Sequence, residues 1–147
     1  MPDNTVLGKG QLTIGYAGTG SLEITNTAAV FTESAILGLN QGAIGSLSLN
    51  SSIWGGGGVT LGAAGTGHMT IGAGASVALT GVVVGSAQTA SGDLVVNGAS
   101  FGVDFLTIGM DGTGTATFET DSIGTFATVT VGDNADAVAN LTLGGQA

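Results

Sequence analysis

Apolar residues recur at every second position in short runs along the chain, as at Leu22 and Ile24, Met69 and Ile71, and Leu141 and Leu143. Thr13, Thr70, Thr107 and Thr142 stand between such pairs and face the other way. A period of two is the pattern of a strand with one face buried. A second kind of run is denser: "AIL" at Ala35–Leu37, "VVV" at Val82–Val84 and "VTV" at Val129–Val131. Gly, Asn and Ser separate the runs, as turn residues separate strands. No helical period survives the glycines, each of which weakens a helix by about 1 kcal/mol relative to alanine. The pattern predicts an all-β chain of short strands.

The runs are copies of one another. "GYAGTGSLEI" at Gly15–Ile24 returns as "GAAGTGHMTI" at Gly62–Ile71 and as "GMDGTGTATF" at Gly109–Phe118, 47 residues apart each time. Gly15, Gly38, Gly62, Gly85, Gly109 and Gly132 then follow in steps of 23, 24, 23, 24 and 23. Two kinds of half-unit alternate, one opening G-x-x-G-T-G, the other opening "GLNQGAIGSLSL", "GSAQTASGDLVV" or "GDNADAVANLTL". A threefold or sixfold β repeat suits a solenoid, a trefoil or a prism. Aromatic residues make up only 5% of the chain, too few to fill the wide centre of a trefoil or prism. Thin coils stacked about 4.8 Å apart suit small interior residues, with glycine at corners that need positive φ. The expectation is a single-domain, parallel β-solenoid of about six coils, organised as three 47-residue double coils over residues 1–147, with "GTG" marking a corner of every second coil.

Composition narrows the function classes. The 147 residues are 43% hydrophobic, enough for a core, and only 7% charged. Lys9 is the sole Lys or Arg, and the net charge is −9, which disfavours phosphates of nucleic acid and anionic lipid. Cysteine is absent, so neither disulfides nor thiolate metal sites are available. No apolar run is long enough for a transmembrane helix, and "MPDNTVLGKG" has no basic n-region or apolar h-region.

The phrases "IGYAGTGSLEI", "LGAAGTGHMTIGAGASV" and "IGMDGTGTATF", alternating with "LSLNSSIWGGGGVTLG" and "LVVNGASFGVDFLTIG", resemble the glycine-rich repeats of bacterial autotransporter (type V secretion) passengers and of PEP-CTERM-associated surface proteins. Trp54 and Phe101 fall in the tryptophan slot of that repeat, and the likeness runs from about Asp3 to Leu143. The resemblance implies a right-handed β-helix on an exported protein, extracellular or at the bacterial cell surface. It implies no chemistry.

The residues offer little for catalysis. His68 is the only histidine, and its counterparts one double coil away are Ser21 and Thr115, so it reads as an exposed, replaceable position without the oriented partner a general base requires. Asp104, Asp111, Glu119, Asp121, Asp133 and Asp136 thicken the carboxylates toward the C-terminus, but "GDNADAV" lacks the Gly and distal Glu of a calcium loop, and they read as solvated turn acids. G-x-x-G-T-G recurs without a lysine or a following helix, which excludes a phosphate loop. Gly55–Gly58 reads as a tight corner beside Trp54, and Asn50 and Asn97, with Asp3 in phase, as a polar ladder at a turn. Leu7, Trp54 and Phe101 share one phase. They read as packed at an edge of the coil, with an exposed strip for sugar stacking as the open alternative. Threonines at 13, 60, 70, 107, 117, 130 and 142 are interrupted by Glu23, Ser48 and Val95, too irregular for an ice lattice. No enzyme, cofactor or metal is expected.

The ends carry the functional expectation. The last unit, Gly109–Leu143, lacks its final 12-residue phrase, and Asp3–Ile14 is that phrase. Neither end shows a polar cap, and stacked repeats without caps expose interior and strand edges. The expected partner is another copy, joined head-to-tail, with Leu7, Leu12 and Ile14 meeting Leu141 and Leu143 of a neighbour, directly or one coil removed, a heterologous contact that builds filaments. The alternative is an adhesin passenger segment whose outer face binds surface glycans or host ligands.

Overall fold

The structure, a computed structural model, describes residues 10–144 and the backbone of Val6 and Leu7. Strands follow one another with no helix among the described residues. After β1 (Val6–Leu7) and β2 (Gln11–Ile14), six-residue and nine-residue strands alternate. The short ones are β3 (Thr19–Ile24), β5 (Ile44–Leu49), β7 (Thr66–Ile71), β9 (Ser91–Val96), β11 (Thr113–Phe118) and β13 (Val138–Leu143). The long ones are β4 (Ala29–Leu37), β6 (Ile53–Leu61), β8 (Ser76–Val84), β10 (Ser100–Ile108) and β12 (Ile123–Val131). Long strands pair only with long and short only with short, always in parallel, giving one seven-stranded sheet that includes β1 and β2 and one six-stranded sheet. The molecule is a β-solenoid of six coils with two sheet faces, as the repeat predicted.

Register explains the two kinds of half-unit. In the long sheet Leu12, Ala35, Val59, Val82, Leu106 and Val129 are successive partners, in steps of 23 and 24. In the short sheet Leu22, Leu47, Met69, Leu94, Ala116 and Leu141 follow one another in steps of 25 and 22. The turn leaving a long strand alternates between four residues (Gly15–Gly18) and six (Gly38–Ala43), and the other turn alternates between four (Thr25–Ala28) and three (Asn50–Ser52).

The aligned glycines open the first of these turns. Gly62 has φ +74°, and a Cβ there would stand 2.3 Å from the carbonyl oxygen of Ser91 in the next coil. Gly15, Gly38 and Gly85 meet the following coil equally closely. Positive φ alone does not enforce glycine, because the second turn has it at Thr27, Ser51 and Asp121 as well as at Gly74 and Gly98. At these four corners the close approach of backbone to backbone is what excludes a side chain; at Gly109 the carbonyl oxygen of Val138 stands 3.0 Å from an added Cβ, and at Gly132 in the last coil nothing stands nearer than 4.0 Å.

Inward residues fill the space between the sheets. Leu37, Leu61, Val84 and Ile108 are wholly buried on one side, and Leu49, Ile71 and Val96 on the other. The long strands break their alternation once. Glu33, Gly57, Thr80, Asp104 and Ala127 drop out of the ladder, and in β8 both Thr80 and Gly81 lie off the core between buried Leu79 and Val82. Trp54 is wholly buried, and its indole N–H donates to Thr32 Oγ1 of the preceding coil at 3.1 Å. At the C-terminal end Phe126 swings over Gly124, which occupies the slot of Val30, Trp54, Val77 and Phe101. Its ring lies 5.5 Å from Phe118 and 6.1 Å from Phe101, an edge-on cluster that closes part of the core.

Candidate functional site

Three surfaces hold the residues that carry functional interest: the last coil, the outer face of the short sheet and the outer face of the long sheet. In the last coil, inward positions that are buried elsewhere come to the surface. Val131 is 44% exposed and Leu143 70% exposed, while Leu141 is half-buried. The first coil differs: Ile14 and Ile24 are buried and Leu12 and Leu22 are half-buried. The side chain of Leu7, the fifth residue expected at a contact between copies, lies outside the described residues, as do Asp3 and Lys9.

On the short sheet the outward ladder runs Ser21, Ser46, His68, Asp93, Thr115, Asn140. His68 Nδ1 stands 3.8 Å from Asp93 Oδ2, and Thr115 Oγ1–H donates to Asp93 Oδ1 at 2.5 Å. His68 therefore has a carboxylate neighbour that comparison across whole double coils does not reveal. The signal was in the sequence: aligning short strands, "GAIGSLSL" with "GTGHMTI" and "ASGDLVV", puts Asp93 beside His68. The array lies on an open sheet face, both side chains are about half exposed, and the backbone donors beneath are engaged in the ladder. It offers no oxyanion site.

The remaining carboxylates do not converge. Asp111, Asp133 and Asp136 lie in turns that leave long strands, Glu119 and Asp121 in a turn that leaves a short one, and Asp104 in the middle of β10. Asn134 Nδ2 donates to Asp111 Oδ1, tying two stacked turns together. Among the described residues no three His, Cys, Asp or Glu side chains gather as metal ligands, and no helix is long and apolar enough to cross a membrane. No family model, curated protein or solved structure matches the chain. What the molecule does has to be argued from its surfaces.

On the long sheet the packed reading of Trp54 and Phe101 holds, and the corner expected at Gly55–Gly58 is corrected. Trp54 and Phe101 sit inside the core, so they offer no strip for sugars. Gly55–Gly58 is no corner; it forms the middle of β6. The outward aromatics are Phe31, 44% exposed, and Phe105, 59% exposed. Phe31 follows simple alternation between buried Val30 and Thr32, whereas the bend after Val103 shifts the outward phase and obscures the placement of Phe105. Around the bend the surface is concave, with three adjoining depressions of about 480, 500 and 610 Å³ that all include Thr80. The threonines divide between the two sheets, with Ile36 and Val83 interrupting Thr13, Thr60, Thr107 and Thr130.

Proposed function

We propose that the chain is a structural, non-catalytic repeat protein of the bacterial cell surface or extracellular space, a filament or stalk subunit that assembles head-to-tail along the solenoid axis. The observation that carries this reading is the open last coil together with the phase of the ladders. The final long-strand step is 23 and the final short-strand step 25, so steps of 24 and 22 are due next. In a second copy displaced by three 47-residue units, those steps bring Leu12 and Ile14 opposite Val129 and Val131, and Leu22 and Ile24 opposite Leu141 and Leu143. The residues expected at the contact thus face partners one strand removed from those first assigned, long strand on long and short on short.

Covering Val129, Val131 and Leu143 contributes about 3 kcal/mol at the usual value for burying an aliphatic side chain. Lost translational and rotational freedom costs about 4 kcal/mol or more. Burial alone therefore falls short, and the edges of β12 and β13 that pair with no further described strand must continue their hydrogen-bond ladders into the neighbour. That makes association dependent on register, as a filament requires. Repulsion between subunits of charge −9 opposes it and weakens with salt. The test is sedimentation and electron microscopy of the pure chain across concentration and salt. Fibres one solenoid wide are expected, and Leu143→Asp, at an exposed site, should abolish them without changing the circular dichroism. Monomer alone at high concentration and moderate salt would refute the proposal.

A further inference from the structure

The long sheet carries a second surface, which runs along the side of the solenoid and is independent of contacts at the ends. Strands β4 and β10 raise two walls, Phe31 and Glu33 on one and Asp104 and Phe105 on the other; the carboxylates share one level at the bend, and the rings are offset, Phe31 in register with Gly102 and Phe105 with Ser34. Across the bend the outward residues of β6 and β8 are Gly55, Gly57, Gly58, Ala78, Thr80 and Gly81, so nothing larger than threonine belongs to this part of the floor; Ile53 and Ser76 stand outward at one end of it and Thr60 and Val83 at the other. An aromatic ring and a carboxylate therefore bracket a low trench on both sides, with three coil intervals from wall to wall.

The floor glycines are the informative part. Gly57 is required, because a Cβ would stand 1.9 Å from the Glu33 carbonyl oxygen. Gly58 and Gly81 are not. Neither has left-handed φ, and the nearest atoms to an added Cβ are at ordinary contact, 3.8 and 3.6 Å. A β-branched residue suits a strand better at such a position. Folding does not explain these two glycines; keeping the floor low does. Phe31 packs against Gly55, 3.2 Å from its would-be Cβ, a contact by which a ring also stabilises a glycine in a sheet. Phe105 has no such excuse of close fit over Gly81, where its ring is absent from the nearest atoms.

We infer that this trench binds a neutral, extended glycan. Aromatic faces stack on the apolar faces of pyranose rings, and Glu33 and Asp104 accept strong hydrogen bonds from sugar hydroxyls. The two rings stand three coil intervals apart, about 14 Å, and three strand positions apart, about 10 Å, so an extended glycan that touches both crosses the floor on the diagonal. Other occupants fit less well. β6 and β8 are paired on both sides, so an added peptide strand finds no free backbone donors. A second copy or an acidic glycan meets the net charge of −9 and two carboxylates with no cation beside them among the described residues.

The test is titration calorimetry of the whole chain with cellohexaose and with the β-1,4-linked hexamer of N-acetylglucosamine, with oligogalacturonate as the acidic control. At least one neutral hexamer should bind and the acidic one should not. Phe31→Ala combined with Phe105→Ala should weaken binding at least tenfold. Gly58→Thr fills the floor without a backbone clash and should do the same while leaving the unfolding midpoint unchanged or higher, which covers the case where loss of the rings disturbs the sheet. No binding of either neutral hexamer at millimolar concentration, or equal binding by wild type and Gly58→Thr, would overturn the inference. Neither result depends on whether fibres form, since Leu143→Asp can be titrated in the same way.

Discussion

Replacing Gly62 by alanine separates the two reasons for a glycine at the coil corner. A left-handed φ costs an L-residue about 1–2 kcal/mol, and that cost applies equally to Gly62 at +74° and to Gly98 at +65°. At Gly98 the nearest atoms to a new Cβ are those of Ala73 at 3.6 Å, and its counterpart one double coil earlier is already Ser51. At Gly62 the new Cβ would stand 2.3 Å from the Ser91 oxygen, so the next coil must retreat locally by about an ångström to reach ordinary contact. The retreat strains the bonds that hold the corner, Gly85 N–H to Leu61 O at 2.8 Å and Ser86 N–H to Gly62 O at 2.9 Å. Losing one or two of these adds about 1–3 kcal/mol. Gly62→Ala should therefore cost about 2–5 kcal/mol and Gly98→Ala about 1–2 kcal/mol. Urea unfolding followed by the fluorescence of Trp54, the only tryptophan and wholly buried in the strand just before Gly62, reads both. Equal losses in the two variants would show that dihedral strain alone selects glycine here and that the coil-to-coil contact does not.

Trp54 and Thr32 should behave as a coupled pair. Trp54→Phe or Thr32→Val alone should each cost about 1–3 kcal/mol by stranding a buried polar group, and the double variant should lose less than the sum in a double-mutant cycle. His68→Ala should change stability by no more than about 0.5 kcal/mol, because its carboxylate neighbour is 3.8 Å away and both side chains are half exposed; a loss several times larger in urea unfolding would mean the ladder from Ser46 to Asn140 is a structural network.

The architecture was legible because its cause is local and periodic. Gly15, Gly38, Gly62 and Gly85 are each demanded by a backbone contact at the same corner of successive coils, and their spacing reports the coil length directly. The placement of side chains around the coil was less legible, for two reasons that act at particular residues. Alternation fails at Glu33, Gly57, Thr80, Asp104 and Ala127, where each long strand bends, so Phe105 could not be assigned outward by counting from Phe101. The turns absorb unequal numbers of residues, so corner glycines 23 or 24 apart conceal short strands 25 or 22 apart, and the proximity of His68 to Asp93 went unseen. Trp54 and Phe101 share a slot by sequence, but burial depends on which face of the sheet that slot occupies, and only the fold decides it.

The unequal turns also set how such a molecule can change length. Taking out a single coil would place a six-residue turn on a six-residue turn, or a four on a four, and neighbouring corners would no longer nest. Taking out or adding 47 residues restores every ladder. Growth therefore comes in quanta of two coils, roughly 10 Å of rise. A lineage of these chains would form a series of rods graduated at that interval, each able to measure a fixed distance from whatever holds its end.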